Sequence, residues 1–144
     1  MTHSLTPDTR AAHLDTSRRI YMAQALAHLS RIGSTARVAP YVLAPPGEVR
    51  LAEVDTIRRY AIVAGWRMAP TSFADVSQPP PLRQRPGFTE ACRYAVQGYV
   101  HGILAVARPA LTTDDDTYAE ILEYLHSHQV FLAYLSAEEP PPAV

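Results

Sequence analysis

The stretch from His101 to Leu135 limits the folds open to this chain more than any other. It opens on His-Gly-Ile-Leu-Ala-Val-Ala (101–107), an apolar run of strand length with no polar alternation. That pattern belongs to a strand buried on both faces, as in a parallel sheet covered by helices. Arg108-Pro-Ala-Leu-Thr-Thr113 breaks the run. A helix start follows: Thr113 with Asp116 three residues on forms a capping-box pattern, and Asp114, Asp115 and Asp116 put negative charge on the positive end of the helix dipole. Tyr118, Ile121, Leu122 and Leu125 recur at i, i+3, i+4 and i+7, and so predict one apolar face. After His126, Ser127 and His128 comes a second buried-strand run, Val130–Leu135. Strand, helix and strand in this order form a βαβ unit with a right-handed crossover.

The rest of the chain extends the same alternation. Residues 1–9 are polar and expected to be loose. A helix is expected over about 11–32, with Leu14, Tyr21, Leu26 and Leu29 as apolar contacts, Arg18, Arg19 and Arg31 on its polar side, and Gly33 as its stop. Arg37–Leu43 is the first strand, although Pro40 removes a ladder donor, which is awkward for a central position. Glu48 to about Ala64 is a helix with Leu51, Val54, Ile57, Tyr60 and Ala61 inward and Gly65 closing it. Trp66–Phe73 is a short second strand, broken by Pro70 and so expected at an edge. A proline-rich loop spans 75–85, and Pro86 to about Gln97 is a helix with Phe88 and Cys92 inward. The expected fold is α/β: three layers around a short, mainly parallel four-stranded sheet of resolvase-like, flavodoxin-like order, with an extra N-terminal helix. The chain divides into a tail and helix (1–35), the α/β domain (36–136) and a disordered acidic, proline-rich tail (137–144).

Composition narrows the function. The net charge is −1, so no global basic field attracts nucleic acid. All 13 basic residues are Arg, an imprint of GC-rich coding consistent with a bacterial source. One cysteine, Cys92, excludes an internal disulfide and a cysteine-based zinc site. No apolar run reaches the length of a membrane span and no signal-peptide core opens the sequence, so a cytoplasmic location is expected.

Four features from Arg37 to Leu135 resemble the N-terminal catalytic domain of the serine recombinases, the resolvase/invertase family. Tyr41-Val-Leu-Ala-Pro45 stands where the family has its YxRxS strand. Tyr60-Ala-Ile-Val-Ala-Gly-Trp66 resembles the family's helix-to-strand junction. Gln84-Arg-Pro-Gly-Phe88 resembles its D-R-P-G step into a helix, and Gly102 to Asp114 lies where the family has an apolar strand followed by K-x-D-R-L-S-R-D. The resemblance implies a serine that attacks a DNA phosphate, with arginines around that phosphate. Under it, the serine position is Pro45 and an arginine position is Leu43, while Pro109, Ala110 and Thr113 occupy the other expected site positions. Only Arg85 matches a family phosphate-binding arginine. The expectation is a non-catalytic resolvase-like pseudoenzyme that acts as a protein-interaction or regulatory module.

Its partner is then an unidentified protein or a second copy, met through the 11–32 helix and the exposed tyrosine and arginine positions of the 48–64 helix. Direct DNA binding is not expected, because residues 111–144 carry acids without Lys or Arg and hold no helix-turn-helix or basic arm. The alternative is a small-molecule or nucleotide-binding domain of flavodoxin-like type, its pocket drawn from Gly47, Asp75 and Arg108 at the strand ends. An active recombinase is a third reading, for which no serine can be placed. No cofactor or metal is expected: His126 and His128 diverge at a helix end, the Asp114–Asp116 run is explained by capping, and Cys92 belongs to the core.

Overall fold

The computed structural model describes residues 7–135, with side chains from Thr9 onward. Most of the expected loose start and all of the acidic tail lie outside the described residues. Among the described residues, four α-helices and five strands follow one another: α1 (Pro7–Arg31), β1 (Arg37–Leu43), α2 (Glu48–Ala64), β2 (Arg67–Met68), β3 (Phe73–Asp75), α3 (Pro86–Val96), β4 (Gly102–Ala105), α4 (Asp115–Ser127) and β5 (Phe131–Tyr134). All strand pairings are parallel, in the order β2-β1-β4-β5, with β3 also on β1. The expected three-layer α/β fold is therefore present. The second strand, expected as one run over 66–73, is two short strands on either side of Pro70. Among the described residues, no helix is long and apolar enough to cross a membrane.

Pro40 sits in the central strand, and the ladder shows why it is tolerated. Arg37 O accepts from His101 N on the β4 side, whereas Val38 O accepts from Ala69 N and Ala44 N donates to Asp75 O on the other side. Alternate residues of a strand aim their polar groups at opposite neighbours, so Pro40 shares the side of Val38 and Ala44. Its missing N–H falls in the gap between Met68 and Phe73, where no strand waits for a donor.

One face of the sheet packs Ala39, Tyr41, Ile103, Leu132 and Tyr134 against α3 and α4. The other packs Val38, Val42, Leu104, Phe131 and Ala133 against α2 and α1. Gly102 lets the Phe131 ring lie against the β4 backbone: a Cβ there would stand 2.6 Å from the ring. Leu51, expected inward on α2, is 69% exposed, and the buried stripe is Val54, Ile57, Ala61 and Ala64. The start of α4 is also shifted: its cap is Asp114, which accepts from Thr117 N at 3.0 Å, in place of the Thr113/Asp116 box.

Helix α1 belongs to the core. Met22 and Leu29 are buried in the α2-side cluster, and Leu14 and Tyr21 pack against the other, so α1 crosses the β5 edge and touches both layers. Arg18, expected on its polar side, is 2% exposed. Phe131 N and Leu135 N bond toward β4, which turns Leu132 O outward to the free edge of the sheet. Arg18 Nη1 donates to that carbonyl at 3.0 Å, its guanidinium lies 4.7 Å over the Tyr134 ring, and Asp15 holds it at 2.9 Å. An otherwise open strand edge is thus sealed by a helix and one buried cation.

Candidate functional site

The strand ends where α/β sheets usually bind ligands are those after Leu43, Asp75 and Ala105. Three polar side chains converge there beneath the surface. Tyr41 is fully buried, and its hydroxyl donates to Asp75 Oδ2 at 2.8 Å. The same carboxylate accepts from Gly87 N and Phe88 N, both at 2.9 Å, so it caps α3 from a neighbouring strand. The approach requires Gly87: an added Cβ would stand 2.9 Å from Asp75 Oδ2 and closer still to Ala74 O. Burial pushes the Tyr41 hydroxyl well above the usual tyrosine range, and the Asp75 contact adds to that. Tyr41 is therefore a donor and stays protonated.

Arg85, the arginine singled out by resemblance, closes the cluster and is 7% exposed. Its Nε donates to Pro80 O at 2.9 Å, and its Nη1 reaches Ala110 O at 2.9 Å and the Tyr41 hydroxyl at 3.5 Å. Its donors tie the proline-rich loop to the 108–110 turn. Arg108 is similarly engaged: Nε donates to Thr112 O at 3.1 Å, Nη2 meets Asp115 Oδ1 at 2.6 Å, and the guanidinium lies 4.1 Å over the Tyr118 ring. The Tyr118 hydroxyl shares a 2.6 Å hydrogen bond with Tyr134, and burial raises both hydroxyls. Pro109 and Thr113 are exposed at the surface of this turn, and Ala110 is half-buried.

Pro45 and Gly47 stand exposed in the turn from β1 into α2, with Leu43 half-buried before them. Arg50, which the sequence did not single out, folds back on this turn and gives Nε and Nη2 to Ala44 O at 3.0 and 2.6 Å. Gly47, Asp75 and Arg108 line neither the cavity between α1 and the α4–β5 turn nor the one between α3 and α4. Nor do the described residues hold a group of three or more His, Cys, Asp or Glu placed for a metal ion. The strand ends thus form a polar cluster whose arginines face inward, beside exposed acids at Asp114 and Asp116. Hydrogen bonds from Thr117 hold the Asp114 carboxyl below its usual range.

The chain is similar in structure to the C-terminal catalytic domain of ISC1926 TnpA, an IS607-like serine recombinase, with a TM-score of 0.55. The fold is serine-recombinase-like. The match covers 69% of this chain and 70% of that domain, at 19% identity. No protein-family model matches the chain, and no curated protein matches it. Within this serine-recombinase-like fold Asp75 meets Tyr41, which Arg85 approaches in turn, whereas the sequence grouped Asp75 with Gly47 and Arg108. Cys92 is buried in the core as expected, its thiol pushed up to about 12 by burial.

Proposed function

We propose that this serine-recombinase-like domain has exchanged strand-transfer chemistry for a protein-interaction or regulatory role. The observation that carries the reading is the state of its arginines. Phosphoryl transfer needs cations aimed at developing charge from a preorganised site. Here Arg85 and Arg108 are aimed at internal carbonyls, at Asp115 and at aromatic faces. The position that the resemblance gives to the nucleophile is Pro45, which carries no hydroxyl. Asp114 and Asp116 at the same end oppose the approach of a phosphate backbone.

The contact surface follows from the packing. The apolar side of α1 is taken up by its own domain, whereas α2 turns Leu51, Ile62 and Val63 outward, each more than two-thirds exposed, beside Arg58 and Arg59. The partner, another protein or a second copy of this chain, meets that face of α2.

Two experiments test the reading. Incubation with supercoiled DNA followed by denaturing electrophoresis gives no covalent protein–DNA species; a trapped serine–phosphate adduct refutes the loss of catalysis. Light scattering and affinity capture are then compared for the native chain and a Leu51→Ser, Ile62→Ser variant. Self-association or specific capture is lost in the variant, and retention in full removes α2 as the surface.

A further inference from the structure

The opposite end of the sheet, where β1, β4 and β5 begin, has a different chemistry. A cavity of about 390 Å³ opens there between α1 and the turn after α4, and Tyr21, Gln24, His28, His101, His126 and Gln129 supply its polar lining. That volume is within the range of small-molecule pockets. No carboxylate lines it. The segments that line it, 21–32, 101 and 126–130, include Arg31 and contain no Asp or Glu, and Arg37 adjoins His101.

Most of the polar atoms that line the cavity have hydrogen-bonding capacity to spare. His101 Nδ1 accepts from Arg37 N at 2.9 Å, so the neutral ring must carry its hydrogen on Nε2. Burial, and then the Arg37 charge, lower the His101 imidazolium below its usual range and keep the ring in that form. Among the described residues, no other side-chain hydrogen bond is made by Tyr21, Gln24, His28, His101, His126 or Gln129. Tyr21 and His126 instead stack face to face, with centroids 3.7 Å apart and planes within 8°, and both border the cavity.

Gln129 carries a second, independent sign. All four helices close with the same pair of hydrogen bonds, 6→1 and 5→2, around a residue of positive φ. In α1, α2 and α3 that residue is Gly33, Gly65 or Gly98; in α4 it is Gln129, at φ 61°. A side chain in the left-handed region is a strained choice that the other three helices avoid. This one borders the cavity.

We infer that the cavity between α1 and the α4–β5 turn is a binding site for a small planar organic anion, no larger than a mononucleotide. The ligand's flat group packs against the stacked Tyr21–His126 pair, and its anionic oxygens take hydrogen bonds from His101 Nε2, His28 and the amides of Gln24 and Gln129. The site is at the far end of the sheet from the Tyr41–Asp75–Arg85 cluster and does not depend on the interaction role proposed above.

The test uses AMP and 4-hydroxybenzoate as probes, with adenosine and 4-hydroxybenzamide as their uncharged counterparts. Binding to the full chain is followed by NMR of the imidazole C–H signals. At least one anionic probe shifts the His28, His101 and His126 signals saturably, and its neutral counterpart binds roughly tenfold more weakly. Gln129→Gly, which restores the glycine used elsewhere, raises the Tm and weakens the anion by at least roughly fivefold. His101→Ala weakens it further. The inference is overturned if neither anion moves these signals at millimolar concentration, if neutral and charged probes bind alike, or if Gln129→Gly binds as the native chain does.

Discussion

Replacing Asp75 by alanine removes the acceptor for three donors at once: Gly87 N, Phe88 N and the Tyr41 hydroxyl. Asp75 is 7% exposed, so water cannot freely replace it. A buried donor left without a partner costs about 1–3 kcal/mol. Taking about 1 kcal/mol for the half-buried Gly87 N–H and about 1.5 kcal/mol for each of the two buried donors gives a loss of about 4 kcal/mol. Asp75→Asn is the graded companion, since its amide keeps one acceptor oxygen but turns an NH2 toward a donor; its expected cost is about 2 kcal/mol. For a chain of this size each kcal/mol lowers the Tm by roughly 3–4 °C, so the alanine variant melts about 12–16 °C lower. Urea denaturation with matched m-values separates lost stability from a changed denatured state. If Asp75→Asn lies within about 0.5 kcal/mol of the native chain, Asp75 is not the cap described above, and the case for a solvent-facing, ligand-binding aspartate revives.

Three further outcomes follow from the packing. Arg18→Met keeps the apolar stem but strands Leu132 O on the sheet edge and loses the Tyr134 contact, for an expected cost of about 2 kcal/mol; urea midpoints check it, and a neutral result places α1 outside the cooperative unit. Gln129→Gly relieves a left-handed backbone and stabilises the fold by about 1 kcal/mol, measured the same way; destabilisation refutes the strain argument. At alkaline pH, the buried Cys92 thiol holds its proton up to about 12, whereas the unfolded thiol releases it near 9.0, so its contribution is complete below pH 9.0 and declines as pH rises toward 12. Tyr41, Tyr118 and Tyr134 are shifted in the same direction, so urea midpoints fall from pH about 8 to about 10.5; a constant or rising midpoint contradicts these buried acids.

The elements that were legible in the sequence are those whose pattern is local. The 101–135 unit could be found because two unbroken apolar runs flank one helical stripe. Pro40 suggested a poor central strand because a sequence shows the missing donor but not the gap that faces it, which Pro70 opens in a neighbouring segment. Arg18 looked solvated because an arginine on a helix is usually exposed; its partner Leu132 lies 114 residues away. The cluster at the strand ends was half legible. Asp75 and Arg85 stood at recognisable junctions, but their partners are backbone groups that no side-chain pattern announces. The histidine-lined cavity left no local trace, since its walls come from α1, the residue before β4 and the end of α4. Only Gln129, standing where three other helices place glycine, offered a signal.

The docking of α1 sets an order of events during synthesis. The helix ends at Arg31, but the strand it seals begins at Phe131, about 100 residues later. At 5–20 residues per second, the ribosome needs about 5–20 s to make the intervening chain. Throughout that interval Met22, Leu29 and Arg18 have no completed surface to rest on. Helix α1 is therefore among the last of these elements to settle, and the nascent chain carries an uncovered amphipathic segment that chaperones can hold until β5 emerges.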